Sequence, residues 1–156
     1  MPKHAATPHN QAPGWMKLAL LAAAVYNVVW GAWVVLAPQH FFRLTGMEPT
    51  NYPSIWQCVG MIVGVYGIGY AIAAFDPARH WPIVLVGLLG KIAGPIGYVD
   101  GAFIRQTLDP AFGWTIPTND LIWWIPFALI LHHAWRVNRR PRAAAPVPTT
   151  EAAVAA

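Results

Sequence analysis

The sequence predicts an all-α integral membrane protein, a four-helix bundle with disordered N- and C-terminal tails. Three observations predict it. Of 156 residues, 56% are hydrophobic and only 10% are charged, whereas charged side chains approach a quarter of an ordinary soluble domain. Ten Lys and Arg with six Asp and Glu are too few to cover a water-soluble sphere of this size, so much of the surface must face a medium other than water. The apolar residues also gather into four long runs. Finally, nine Trp, fifteen Pro and thirteen Gly suit a bilayer, where interfaces collect Trp and helices tolerate Gly and Pro.

Residues 1–14, MPKHAATPHNQAPG, are polar and Pro-rich and read as a disordered tail. The first span follows at about 16–36. It continues through VVWGAWVVLAP, with Trp where a signal peptidase needs small residues, so it reads as a span and not as a cleaved leader. The second and third spans are expected at about 55–75 and 81–99. At 1.5 Å per residue the first two reach roughly 31 Å, against a hydrocarbon core of about 30 Å. The fourth, at about 121–137, is short at roughly 25 Å. Thr118, Asn119 and Asp120 offer capping side chains at its start, and Trp135 with an Arg cluster marks its far interface. The four spans form one transmembrane domain over 15–137. Residues 138–156 are basic, then low in complexity, and read as a second tail.

Orientation follows from Lys and Arg in the connections. The side bearing both ends carries Lys3, Lys17, Arg79, Arg136, Arg139, Arg140 and Arg142, and the other side only Arg43 and Arg105. The positive-inside rule therefore predicts cytoplasmic termini and outward-facing connections at 37–54 and 100–120. The +4 net charge is explained by this topogenic cluster, which abuts an apolar run and can attract anionic lipid, so no nucleic-acid partner is expected. Cys58 is the only cysteine, which excludes an intramolecular disulfide, a CxxC pair or a cysteine zinc cluster.

Glycines at steps of three and four mark helix-packing stripes: Gly60 and Gly64 in the second span, and Gly87, Gly90 and Gly94 in the third. Such stripes let backbones approach, so these helices should pack on each other or on the first.

Lys91 lies near the middle of the third span, where a Lys costs about 2.5 to 3.5 kcal/mol, and its glycine neighbours place it on or beside the small-residue face. Asn27, central in the first span, must also find a partner away from lipid. With Gln57 and Asp120 these form a candidate ligand-binding set, able to hold a polar headgroup, carry protons or orient a quinone carbonyl. The alternative is a polar clasp that fixes helix register, with Asp120 as an N-cap. GLLGK at 87–91 is not a phosphate loop, because Leu85 and Ile92 occupy positions that need Gly and Ser or Thr. His80, His132 and His133 share a depth and are candidate haem ligands if their helices are neighbours. No catalytic triad, paired carboxylate or metal-ligand spacing occurs in the sequence. The segment LDPAFGWTIPTND at 108–120 could pack as a lid over the bundle mouth.

Four spans, an outer connection reading Pro38-x-x-Phe41-Phe42 and glycine-rich central helices resemble the small bacterial four-helix membrane proteins of the broad DoxX-like kind, over about 15–137. The resemblance implies a bacterial inner membrane location. Some members are similar to subunits associated with quinone-linked oxidation of sulfur compounds, which implies a quinone-facing or complex-assembly role. No functional residue is carried over. The expected function is that of a small multi-pass inner-membrane protein, not independently catalytic, that binds a lipid-soluble ligand or a membrane partner, in addition to the lipid bilayer, around Lys91. The alternatives are a membrane subunit of a quinone- or haem-linked oxidoreductase, and a small transporter, a homo-oligomer, that uses Lys91.

Overall fold

A computed structural model describes residues 12–139. Most of the two predicted tails, with His4, His9, Lys3, Arg140 and Arg142, lies outside the described residues. Helix α1 spans Gly14–Leu36, α2 His40–Thr45, α3 Pro53–Ala73, α4 Trp81–Val99 and α5 Ile122–Asn138. The architecture is all-α, as the composition predicts. A π-helical turn, Asp100–Ile104, extends α4, and a 3-10 turn, Pro110–Trp114, leads to a second π-helical turn, Pro117–Leu121, that runs directly into α5.

Three helical runs are long and apolar enough to cross a membrane: Gly14–Leu36, Pro53–Ala73 and Trp81–Ile104. The fourth helix gains its length from the π-helical turn. Pro117 opens that turn, where a missing N–H costs nothing, and from there to Asn138 the chain rises about 33 Å. The expected cap at 118–120 is therefore corrected: no side chain caps α5 or its leading turn, and Asp120 sits inside the helical run.

Burial in this bundle runs opposite to that of a soluble one. Leu18, Val25, Val29 and Leu36 of α1, Ile62, Val65 and Ile68 of α3, and Val86, Leu89 and Ile96 of α4 are exposed. The four buried polar or charged side chains among the described residues are Asn27, Lys91, Thr115 and Asp120. An apolar exterior around a partly polar interior is what a bilayer selects, because lipid tails solvate aliphatic side chains and cannot hydrogen-bond amides or charges.

Helices α1 and α3 form the tightest pair. A Cβ on Gly31 would lie 2.5 Å from the Gly60 carbonyl oxygen, and one on Gly67 would lie 2.8 Å from that of Ala24. The glycines are therefore what allows these backbones to touch. Helix α4 packs chiefly on α5 and only sparsely on α3. Gly87 makes room for Tyr70 of α3, whose hydroxyl would lie 2.5 Å from a Cβ there, and Gly94 adjoins the Asp120 carboxylate at 3.2 Å. A Cβ on Gly64 or Gly90 would meet nothing within 4 Å, so those two members of the predicted stripes do not limit approach through their own side-chain positions.

The α2 end of the bundle is closed by aromatics. Phe41 contacts Phe42, Trp33, Trp56 and Phe112 at centroid distances of 5.6, 6.3, 5.9 and 5.6 Å. Gly46, in the left-handed region at φ 73°, ends α2 and turns Met47 back into this cluster. Phe112 comes from the 108–120 segment, which packs over this end. Asp109 caps its 3-10 turn by accepting from the Ala111 N–H at 2.8 Å, and Tyr98 donates to the Pro110 carbonyl at 2.8 Å. At the opposite end, Asn138 donates to the Ala78 carbonyl at 3.0 Å, tying α5 to the α3–α4 connection.

Candidate functional site

A cavity of about 150 Å³ lies inside the bundle, lined by Asn27 of α1, Tyr66 and Tyr70 of α3, Lys91 of α4, and Asn119 and Asp120 of the turn before α5. Ile62 and Gly90, also in its wall, are exposed, so its mouth lies between α3 and α4, where packing is sparse. Asn27, Lys91 and Asp120 are 2%, 5% and 4% exposed. Each of the three comes from a different helical run, so the site exists only when the bundle is assembled.

Lys91 is held twice, and proline chemistry explains one of the bonds. Pro95 has no N–H, so the carbonyl four residues earlier, that of Lys91, loses its intrahelical donor. The Trp124 indole N–H of α5 donates to that carbonyl at 2.9 Å. The Lys91 ammonium donates to the Asn119 carbonyl. Lys91 and Asp120 share the cavity without direct contact: the single ion pair among the described residues joins Arg105 to Asp100 at 2.7 Å, at the surface.

Two side-chain acceptors at the site are unpaired. Asn27 Oδ1 and Asn119 Oδ1 are buried with no hydrogen-bond partner. Asn119 donates its Nδ2 to Asp120 at 3.2 Å. An unsatisfied acceptor away from water costs about 1 to 3 kcal/mol, and the donors nearest at hand are the Tyr66 and Tyr70 hydroxyls that line the same cavity.

Of the predicted set, the structure brings Asn27, Lys91 and Asp120 together and leaves Gln57 out. The Gln57 amide donates to the Val35 carbonyl at 2.8 Å and ties α3 to the end of α1. Asn119, Tyr66 and Tyr70 are cavity residues that sequence reasoning missed, as is Trp124, which lies outside the cavity lining and holds the Lys91 backbone; the signal for Trp124 is the proline four residues after Lys91. His80 precedes α4, His132 packs against Trp135 at 6.2 Å, and His133 Nε2 is buried without a partner. The cavity of about 400 Å³ at that end is lined by Trp81, Leu85, Leu131, Trp135, Asn138 and Arg139, with no histidine. Among the described residues no three His, Cys, Asp or Glu cluster as metal ligands. A wider apolar groove of about 950 Å³ runs along α1 from Leu18 to Trp33 and reaches Phe41 and Trp114.

Apolar helices long enough to span a bilayer, with Asn27, Lys91 and Asp120 buried between them, define a small multi-pass membrane protein. Among curated proteins it is similar to disulfide bond formation protein B of Cupriavidus pinatubonensis, at 29% identity over 102 residues covering 58% of this chain and 62% of that protein. The protein of the same name from Cupriavidus metallidurans is 31% identical over 102 residues with the same coverage. The chain thus spans less than two thirds of the length of the curated relatives it matches. No family model matches the sequence, and no solved structure matches it.

Proposed function

We propose that this chain is a bacterial inner-membrane protein that binds a lipid-soluble ligand at the Lys91 cavity and is not independently catalytic. The observation that carries this reading is the cavity itself, lined together by Lys91, Asp120 and an Asn27 whose buried Oδ1 has no partner. A helix clasp alone does not require a cavity beside Lys91, whose ammonium keeps two protons beyond the one given to the Asn119 carbonyl. The sparse α3–α4 contact gives a lipid-dissolved molecule a lateral route in.

The test is extraction. Protein purified from membranes carries an organic-soluble molecule, detected by mass spectrometry of the extract, and Lys91→Met, checked for native helicity and elution, loses it. Identical extracts from both proteins would sink the reading.

The similarity to disulfide bond formation protein B favours a second reading, a membrane subunit of a quinone- or haem-linked redox system. The relatives' printed activity needs a pair of thiols if one chain is to form and pass on a disulfide internally, and Cys58 is the only cysteine in this sequence. On this second reading the chain supports a thiol- or quinone-using partner and does not itself cycle a disulfide. A reduced-minus-oxidised optical spectrum with a Soret band, or extracted quinone, supports it; absence of both removes it.

The basic residues support cytoplasmic termini. In a Cys58→Ser background, a cysteine introduced at Gln106 is expected to react with an impermeant maleimide added outside intact cells stripped of their outer membrane, and one introduced at Arg79 is not. The reverse pattern would invert the topology.

A further inference from the structure

We propose that the cleft between α4 and α5, at the end where α4 begins, is a binding site for an anionic phospholipid, with the lipid phosphate on Arg139 and an acyl chain between Leu85 and Leu131. The site is separate from the Lys91 cavity and does not depend on it. Its lining changes chemistry in steps. Leu131, Trp135 and Arg139 follow at intervals of four residues, so they lie one above the other on a single helix face, about 6 Å apart. The antiparallel α4 contributes Trp81 and Leu85 at the same spacing, and all five line one cavity of about 400 Å³. From the bilayer outward the order is aliphatic, aromatic and cationic. A phospholipid presents its acyl chain, ester region and phosphate in the same order, and Trp favours the level between.

The cation is positioned and lacks a counterion. The Arg139 backbone N–H donates to the Trp135 carbonyl at 3.1 Å, which keeps it in helical register, and its guanidinium carbon lies 4.2 Å from the centre of the Trp135 ring. Stacking of this kind uses the face of the guanidinium and leaves its in-plane N–H fork open, the geometry that pairs with two phosphate oxygens. Among the described residues Arg139 has no carboxylate partner: the single ion pair joins Arg105 to Asp100. Asp76, the one described carboxylate at this end, accepts the Arg79 N–H at 3.0 Å. Trp81 and Trp135 are 40% and 53% exposed, so the cleft opens to the surrounding lipid, and its volume lies within the roughly 300 to 1,000 Å³ of ligand-sized sites.

The experiment titrates the full chain in nonionic detergent with dioleoyl-phosphatidylglycerol or dioleoyl-phosphatidylcholine and counts lipid adducts by native mass spectrometry. The first phosphatidylglycerol is expected to bind at least about fivefold more tightly than phosphatidylcholine, the factor that one basic residue supplies at an anionic surface. Arg139→Gln should remove that preference. Arg79→Gln loses the same charge at the same end, on an exposed residue outside the cleft, and should keep it. Leu85→Trp leaves every charge in place and fills the space between the helices, so it should weaken phosphatidylglycerol binding by a similar factor. If Leu85→Trp fails to fold, the two Arg variants still decide. Equal losses in Arg139→Gln and Arg79→Gln would overturn the site and leave a diffuse attraction to the basic end. The absence of any preference in the wild type would also overturn it. Displacement of the lipid by an equimolar amount of inorganic phosphate would overturn the lipid assignment and leave a site for a free anion.

Discussion

Replacing Gly31 by Ala tests how α1 and α3 are held together. The added methyl would lie 2.5 Å from the Gly60 carbonyl oxygen, 2.9 Å from the Gly64 nitrogen and 3.1 Å from the Gly64 Cα. All three are backbone atoms, so no rotamer can relieve the clash and the helices must part. Ordinary contact begins near 3.4 Å, which requires a separation of about 0.9 Å at this crossing and loosens the packing on either side of it. Overpacking of this kind costs about 1 to 3 kcal/mol. Gly64→Ala is the matched reference, because its Cβ meets nothing within 4 Å and it brings the same gain in helix propensity, about 1 kcal/mol. The difference between the two variants isolates the steric cost. Unfolding by sodium dodecyl sulfate in mixed micelles, followed by far-ultraviolet ellipticity, is expected to place Gly31→Ala about 1 to 3 kcal/mol below Gly64→Ala. Equal stabilities would refute the backbone contact.

Trp124→Phe should cost about 1 to 3 kcal/mol by orphaning the Lys91 carbonyl. The loss should shrink when Pro95→Ala restores the intrahelical donor; a double-mutant cycle with no coupling would break the link between Pro95 and Trp124. Phe41→Ala removes a buried ring that four other aromatics touch and should lower stability by about 3 kcal/mol, with faster proteolysis within residues 105–116 as its signature. Arg105→Ala breaks an exposed ion pair and should change stability by less than about 1 kcal/mol; a larger loss in the same denaturation assay would show that the pair anchors the π-helical turn.

Much of the fold was legible because the bilayer imposes length and apolarity on a segment, and both are local properties. The third span was expected at 81–99, and α4 is Trp81–Val99. Helix α2 was not legible, since six residues, HFFRLT, hold too few turns to show a period, and its aromatics gain a partner in Phe112 only after folding. The fourth helix was expected to be short because its apolar run begins only at Leu121, with Thr118, Asn119 and Asp120 read as caps before it. The same residues fit inside a helix once Pro117 starts it, with Asn119 and Asp120 on the cavity and Thr118 exposed beside Tyr26. The glycine stripes announced close approach without naming the neighbour. Gly31 of α1 is the glycine that Gly60 and Gly64 meet, and Gly87 is small on account of Tyr70. Asn27 and Gln57 are similar amides, but Asn27 is central in its helix and reaches the cavity, whereas Gln57, in the second turn of α3, meets only the end of α1.

A clasp and a ligand site at Lys91 are separable because the residue is bound through two different atoms. Its carbonyl is held by Trp124 whatever side chain stands at position 91, since that bond arises from Pro95 and belongs to the backbone. Its ammonium donates only to the Asn119 carbonyl among protein groups, and that carbonyl lies in the middle of the π-helical turn before α5. Lys91→Met therefore keeps the α4–α5 connection through Trp124, removes a buried charge and fills part of the space with a chain of similar length. The expected result is a bundle about as stable as the wild type, or more so, since replacing a buried charged contact with an apolar chain of matching volume is often neutral or favourable. If the protein gains or keeps stability on losing this ammonium, then the cost of holding a Lys in mid-membrane, about 2.5 to 3.5 kcal/mol, is not offset by folding. The offset must then come from what the ammonium binds.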